Sequence, residues 1–195
     1  MTPTEEKRTY DSLDIFRLLI LLRSESPLGR KRISETLGIG EGHARTLLRF
    51  LYKGNYINIQ KRGVSLTSKG SELLKEVRVQ RIVIDLQGLA VDVYNVAVLV
   101  KSSRKMVKNG VEQRDESIKA GATGATTLIC HQGKLMLPVY PTPQPINEKI
   151  TDYFRGIFDV EDNDVIIIGS GPSFPLAERG ALAAALTLLP KIQKV

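Results

Sequence analysis

The sequence predicts a two-domain protein of the α/β or α+β class, divided into residues 1–80 and residues 81–195. In the first part, apolar residues recur at helical spacing and are followed by two short alternating segments that predict a β-hairpin. In the second part, β-branched runs alternate with helical patterns, which is typical of a mixed domain. The charge is also unevenly divided, because residues 1–81 hold 16 Lys and Arg against 9 Asp and Glu, whereas residues 82–195 hold 12 of each.

Composition excludes several classes of protein. With 42% hydrophobic and 25% charged residues, the chain has the balance of a soluble globular protein. The single cysteine, Cys130, cannot form an internal disulfide or, by itself, a structural zinc site. No apolar signal segment opens the chain, and its longest apolar runs, 18–22 and 181–189, are far shorter than the roughly 20 residues that cross a bilayer. We therefore expect a cytoplasmic protein with no membrane span and no bound cofactor.

Three helices are predicted at the start of the chain. Residues 12–23 are apolar around most of the helix, which indicates a buried helix, and Ser26-Pro27 breaks it. Residues 30–37 form a short helix that ends at Gly38. Residues 41–53 form a longer helix with an inward apolar stripe at the spacing i, i+3, i+4, i+7. That stripe consists of Ala44, Leu47, Leu48 and Leu51.

A hairpin follows the third helix. Residues 56–60 and 64–67 alternate between apolar and polar side chains, and residues 61–63 form the turn between them. A further helix begins at Ser68. Three helices followed by a hairpin are the element order of a winged helix-turn-helix domain.

Two segments carry a resemblance to that domain. ISETLGIGEGHARTLLRFLYKGNYI resembles the second helix, the turn, the recognition helix and the first wing strand of bacterial and archaeal regulators. SLTSKGSELL is similar to the strand and helix that close the wing in the MarR-like branch. The resemblance covers residues 12–75. Ser34 and Gly40 depart from it, because the family usually has Ala at the first position and a Ser or Thr cap at the second.

This resemblance implies that the third helix enters the DNA major groove with its N-terminal residues at the base edges. With the apolar stripe inward, three outward residues are candidates for base contacts: His43, Arg45 and Thr46. Arg45 is the strongest of them, since one guanidinium can bond both O6 and N7 of guanine. The candidates for phosphate contacts are Arg30, Lys31, Arg32, Arg49 and Lys53, with Lys61 and Arg62 at the tip of the wing. The alternative is a protein-docking domain whose charges are only solvated.

The second domain is predicted from alternating patterns. The strands expected are 82–86, 94–100, 125–130, 134–137 and 164–168, and the helices are 111–120, 147–158 and 175–189. Four prolines make residues 138–145 an extended loop. The last helix is apolar nearly all round and must be buried in a core or against a second copy of the chain.

A small anionic ligand is the hypothesis for this second domain. The Gly169-Ser170-Gly171 segment is interpreted as a turn between a strand and a helix N-terminus capped by Ser173, where bare N–H groups favour an anion. Arg114, Asp115 and Lys119 lie on a helix that the small residues 120–127 would bring near that turn. The alternative is an ordinary tight turn and a buried structural ion pair.

Catalytic and metal sites are not predicted. Cys130 and His131 are neighbours at a strand end, so their side chains point to opposite faces and form a poor nucleophile–base pair. The carboxylates of residues 161–164 have a spacing that could hold a divalent cation, but a solvated turn is the simpler interpretation.

The whole chain resembles an uncharacterised family of archaeal proteins, through QRDESIKAGATGATTLI and GSGPSFPLAERGALAAAL. The resemblance implies transcription regulation, with a second domain that senses a ligand or forms a homodimer. A two-fold protein matches palindromic operators, which favours the homodimer. Two alternatives stay open: a metabolic enzyme with a fused winged-helix domain, and a winged-helix module that binds proteins.

Overall fold

The computed structural model describes residues 10–195, which divide into two compact units. The first unit extends to Lys75 and includes Lys191–Val195, and the second unit is Glu76–Pro190. The structure confirms the predicted mixed fold class, with a helical first part and a sheet-rich second part.

The first unit contains the three helices and the hairpin expected from the sequence. Its elements are α1 (Ser12–Glu25), α2 (Arg30–Leu37), α3 (Glu41–Lys53), β1 (Ile57–Gln60), β2 (Gly63–Leu66) and α4 (Ser68–Leu73). The Asp11 side chain caps α1 by accepting the N–H of Asp14. Most of α1 is buried, including Phe16 and Leu19, because α2, α3, α4 and β2 all pack against it.

The turn between α2 and α3 depends on two small residues. Gly38 ends α2 in the left-handed conformation, with φ of 65°. The hydroxyl of Ser34 donates to the Ile39 carbonyl at 2.7 Å, and Ser34 is only 8% exposed. This bond gives a structural reason for a serine where the resemblance would place an alanine.

A backbone bridge joins the start of α2 to the hairpin. The Leu28 N–H donates to the Val64 carbonyl at 3.0 Å, and the Val64 N–H donates to the Leu28 carbonyl at 2.8 Å. Gly63 makes this approach possible, since a Cβ at that position would lie 2.8 Å from the Leu28 carbonyl oxygen. The segment that precedes α2 is therefore held against strand β2.

The second unit is a six-stranded antiparallel sheet with helices on both faces. Its elements are β3 (Val77–Ile82), β4 (Tyr94–Val100), α5 (Val111–Lys119), β5 (Gly124–His131), β6 (Lys134–Leu137), β7 (Gln144–Pro145), α6 (Glu148–Ile157), β8 (Val165–Gly171) and α7 (Phe174–Leu186). The short α8 (Pro190–Gln193) follows them, and all of it except Pro190 belongs to the first unit. The strand order is β3-β4-β8-β5-β6-β7. Phe154 of α6 packs with Ile166 and Ile168 on one face, while α5 and α7 pack on the other.

The first predicted strand of this unit was wrong in its position. Residues 82–86 open with three β-branched apolar residues, but the strand is Val77–Ile82, which pairs along its whole length with β4. Val83 and Ile84 are exposed instead. The predicted boundary at residue 80 consequently falls inside a strand of the second unit.

The apolar last helix is covered within its own unit. Helix α7 packs against β4, β8 and α5, and Ala181, Leu182, Ala184 and Ala185 are fully buried. A second copy of the chain is not needed to explain the composition of this helix.

Candidate nucleic-acid interface

Helix α3 separates its apolar and basic faces as its spacing predicts. Ala44, Leu47, Leu48 and Leu51 are buried. Arg45, Thr46, Arg49 and Lys53 are exposed on the outward side. The Thr46 hydroxyl donates to the Gly42 carbonyl at 3.1 Å, which leaves its oxygen free to accept a further bond. The outward face therefore offers guanidinium, ammonium and hydroxyl groups to a partner.

The first turn of α2 consists of three consecutive cations, Arg30, Lys31 and Arg32, all exposed. No acidic residue lies in this turn, and Gly29 at the cap provides no side-chain bond. Cations at a helix N-terminus oppose the helix dipole, at a cost of about 0.3–1 kcal/mol each. An anion placed there would meet bare N–H groups, the positive end of the dipole and three positive side chains.

The hairpin brings further positive charge to the same side of the unit. Lys61 and Arg62 form its two-residue turn and are both exposed. The bridge between Leu28 and Val64 holds the hairpin beside the start of α2, since it joins β2 to the residue just before the Gly29 cap.

A cleft of about 480 Å³ lies between α3, the hairpin and the start of α2. Four of the predicted DNA-binding cations line it: Arg30, Arg45, Arg49 and Lys61. Within residues 10–195, none of these four forms an ion pair with a carboxylate. Lys31, Arg32, Thr46, Lys53 and Arg62 lie outside its lining. Three separate elements thus direct unpaired positive charge into one space.

The cleft also contains residues that the sequence analysis missed. Tyr52 and Ile59 line it and are 55% and 49% exposed. Tyr52 follows Arg45 and Arg49 at the spacing i, i+4, i+7, so the helical period alone would have placed it on the same face. Ile59 was misplaced by its pattern, because strand alternation puts it on the same face as Ile57, which is buried.

The structure corrects the outward placement expected for His43. Its ring is half buried, and Nε2 lies 3.0 Å from the Asp14 carboxylate on α1. The side chain of Asp14 is only 11% exposed. His43 therefore fixes the first turn of α3 to α1 rather than presenting its ring to a partner.

The predicted anion site in the second unit does not assemble. The buried residues of α5 are Gln113 and Ser117, so Arg114 does not lie on the inward face of its helix. Arg114 and Asp115 pair with each other at 3.0 Å and are 53% and 48% exposed. Lys119 pairs with Glu116. These charges form ordinary surface ion pairs.

The Gly169-Ser170-Gly171 segment is a buried part of strand β8 rather than a turn. A Cβ on Gly169 would lie 2.5 Å from backbone atoms of Ala177 and Ala181, so the glycine allows α7 to pack closely on the sheet. The Ser170 hydroxyl donates to Asn95 and accepts the Val91 N–H, which satisfies it internally. Ser173 does cap α7, as expected, by accepting the Leu176 N–H.

Comparison with known proteins assigns the chain to a family. A family model described as a domain of unknown function, DUF4443, matches residues 91–188, which is half of the chain. The chain belongs to the DUF4443 family. A second model, described as the PH0730-like N-terminal domain, matches residues 13–72. The two models match separate parts of the chain, one in each unit.

A solved structure and a curated protein are similar to this DUF4443 member. The hypothetical protein PH0730 from Pyrococcus horikoshii OT3 is 31% identical with a TM-score of 0.69, and the match covers 95% of this chain and 98% of that one. The central glycolytic genes regulator of Bacillus subtilis (strain 168) is 39% identical over 59 residues, which are 30% of this chain and 17% of that regulator. The chain thus spans less than a fifth of that regulator's length.

Two carboxylates of the second unit hold its loops through hydrogen bonds to backbone N–H groups. The Asp164 carboxylate, 1% exposed, accepts the Ser102 N–H and pairs with Lys101 at 3.2 Å. Asp162 accepts the N–H groups of Gly133 and Gln132, and these bonds hold the pKa of its carboxyl below its usual value. Burial, followed by the nearby Asp162 charge, raises the pKa of the Cys130 thiol to about 11.

Between residues 10 and 195, no group of three or more His, Cys, Asp or Glu side chains is arranged to hold a metal ion. In the same range, no helix combines the length and the apolar character that spanning a membrane requires.

Proposed function

We propose that the first unit is a winged helix-turn-helix domain that binds double-stranded DNA, and that the protein regulates transcription. The 39% identity to a gene regulator over 59 residues supports a regulatory, DNA-binding role in general terms. The order of three helices and a hairpin supports the winged-helix assignment.

The observation that carries the proposal is the convergence of Arg30, Arg45, Arg49 and Lys61 on one cleft. Within residues 10–195, no carboxylate neutralises these side chains. Unpaired cations that come from three elements suit a partner with spaced negative charges, and the DNA backbone has this property.

Each element has a distinct role in the proposed complex. Arg45, in the first half of α3, reads base edges, and Thr46 assists it with its free acceptor. Arg49, Lys53 and the first turn of α2 hold phosphates, and the wing tip lies along the backbone. His43 is a positioning residue. Its contact with Asp14 holds the N-terminal end of α3, and this sets the direction in which Arg45 points.

The unfavourable charge at the start of helix α2 supports the same proposal. Arg30, Lys31 and Arg32 in a first turn destabilise the free helix, so the sequence is unfavourable unless an anion occupies that turn. A phosphate of the DNA backbone would remove this cost on binding. A protein-docking domain with solvated charges gives no reason for three cations there.

We further propose a homodimer and a cytoplasmic location. One recognition helix reads one half-site, and two-fold proteins match palindromic operators. An effector-sensing role for the DUF4443 unit is part of the same proposal, although the residues expected to form its site are engaged in packing and surface pairs.

The test measures the binding of a labelled genomic duplex to the full chain. Fluorescence anisotropy gives the affinity at each of several salt concentrations. Arg45→Ala should lower the discrimination between sites by about 1–3 kcal/mol. The Lys61→Ala, Arg62→Ala pair should weaken binding to all sequences and lower the slope of log K against log salt by about 2. Lys75→Ala is the matched control, because Lys75 pairs with Glu72 and does not line the cleft.

Two outcomes contradict the proposal. If the wild-type chain binds no duplex at low salt, the interface binds another class of partner, and the protein-interaction alternative gains support. If the Lys75 control changes the salt slope as much as the wing variants do, the attraction is a property of the net charge and not of the cleft.

A further inference from the structure

The cleft is more apolar than a DNA-backbone contact requires. Leu48 and Val64, 5% and 3% exposed, contribute to its lining, and Leu28 is half buried there. Tyr52 and Ile59 extend this apolar surface into solvent. Phosphates are held by cations and N–H groups, and they gain nothing from aliphatic or aromatic neighbours.

The volume of the cleft also distinguishes a small organic ligand from a phosphate group. The cleft measures about 480 Å³. Small-molecule sites have volumes of about 300–1,000 Å³, largely apolar linings and a few convergent polar groups. A single phosphate group would fill only part of this space.

The polar groups of the cleft select the charge of such a ligand. Arg30, Arg45 and Arg49 carry planar guanidinium forks, which bond carboxylate and phosphate oxygens in pairs. Lys61 adds a fourth positive charge. Within residues 10–195, no carboxylate belongs to the lining. The complementary molecule therefore carries a negative head group on a compact apolar body.

We propose that this cleft binds a small amphipathic organic anion, with its head group on the arginines and its apolar body against Leu48, Val64 and Ile59, and that this anion competes with DNA. The competition rests on the proposed function, because the same arginines would hold the head group or the DNA, but not both. By linkage, DNA weakens binding of the anion by the same factor by which the anion weakens binding of DNA. This ligand site would lie in the DNA-binding unit and be separate from any effector site of the DUF4443 unit.

The first experiment needs no DNA. The full chain is titrated with 2-naphthoate and with naphthyl phosphate by isothermal calorimetry, alongside inorganic phosphate and the neutral 2-naphthamide. We expect saturable binding of both naphthyl anions and at least about tenfold weaker binding of inorganic phosphate and of the amide, a gap of about 1.4 kcal/mol. Equal binding of inorganic phosphate would overturn the proposal, since the apolar lining would then contribute nothing.

Variants locate the binding. Ile59→Thr keeps a β-branched residue in the strand but removes apolar surface from the cleft, so it should weaken naphthoate several-fold and leave the salt slope for DNA unchanged. Arg49→Gln should weaken both ligands. Arg62→Gln is the matched control, because Arg62 lies outside the cleft lining, and it should weaken DNA alone. Naphthoate binding that survives both the Ile59 and the Arg49 changes would place the ligand elsewhere and refute the site.

Competition is measured last, on the labelled duplex. Naphthoate at ten times its own Kd should raise the apparent Kd for DNA about tenfold. If the duplex binds but naphthoate neither binds nor displaces it, this inference fails and the proposed function stands. If naphthoate binds and no duplex does, the proposed function and the competition fail, while the ligand site stands on the calorimetry.

Discussion

Gly63→Ala tests the bridge that builds the cleft. Gly63 has φ of 132°, a conformation that L side chains rarely adopt, and a Cβ there would lie 2.8 Å from the Leu28 carbonyl oxygen and 2.9 Å from its carbon. The neighbour is backbone, so relief of the clash has to move residue 28 away from the hairpin. The two hydrogen bonds between Leu28 and Val64 would then be lost.

The expected magnitude follows from these two costs. A non-glycine residue in such a backbone conformation costs about 1–3 kcal/mol. Two lost hydrogen bonds contribute about 0.5–1.5 kcal/mol each. Since movement of the chain relieves the strain only in part, we expect the first unit to lose about 2–4 kcal/mol of unfolding free energy.

The assay is urea denaturation of the full chain, with DNA binding measured in parallel. Gly42→Ala is the matched control, because a Cβ at Gly42 meets no heavy atom within 4 Å and the residue lies in helix α3. There the same chemical change should stabilise the unit by about 0.5–1 kcal/mol. Stability of Gly63→Ala equal to that of the wild type, or a shift in the same direction as Gly42→Ala, would refute the reasoning.

Three further predictions concern the second unit. Gly169→Ala should destabilise it by several kcal/mol in thermal denaturation, since its Cβ would lie 2.5 Å from two backbone atoms of α7, and a silent substitution would mean that α7 does not pack so closely. Arg114→Ala should change the unfolding free energy by less than about 1 kcal/mol, because its ion pair is half exposed, and a larger loss would indicate a buried role. Cys130 should resist alkylation by iodoacetamide at pH 9 in the folded protein and react after unfolding, because its pKa is about 11. Because the pKa of Cys130 is raised in the folded protein, the contribution of this thiol to stability is complete below its pKa in the unfolded chain. That contribution is lost as the pH rises toward 11, so a protein that becomes harder to denature over this range would contradict the assignment.

Local sequence patterns were sufficient to predict the bounds of some helices and strands. Helix α3 begins and ends where its spacing predicts, because a strong 3.6-residue period lies between Gly40 and Gly54. The strand over Tyr94–Val100 was likewise predicted at its observed bounds, since a run of β-branched residues in the centre of a sheet is buried on both faces.

Distant partners decided what the sequence could not predict. The β3 strand begins at Val77, where β4 pairs with it. Val77 and Val79 alternate with polar residues, which is itself a strand pattern, but the prediction followed the denser apolar run that includes the exposed Val83 and Ile84. The Gly-Ser-Gly segment has the composition of a turn, yet it is a strand that α7 approaches.

The candidate site also has a part that the sequence predicted and a part that it did not. The basic face of α3 was predictable from its period, and the identity of Arg45 and Arg49 as outward residues followed directly. The cleft was not predictable, because it depends on the bridge between Leu28 and Val64. His43 was misplaced because its partner, Asp14, belongs to another helix.

The strand order of the second unit has a consequence for its synthesis. β8 lies between β4 and β5, and it joins positions as distant along the chain as Tyr94 and Gly171. A nascent chain that has not yet reached residue 165 has two separate hairpin-like pieces, β3 with β4 and β5 with β6, each with an apolar edge that only β8 can cover. Such edges are templates for pairing with other chains. Helices α1 to α4 and the hairpin of the first unit are complete by Leu73, so they are translated long before the sheet can close. Polysomes that make this protein would therefore expose the sheet edges from the completion of β4 at Val100 until β8 is made, and this is the period in which protection by a chaperone has the largest effect on yield.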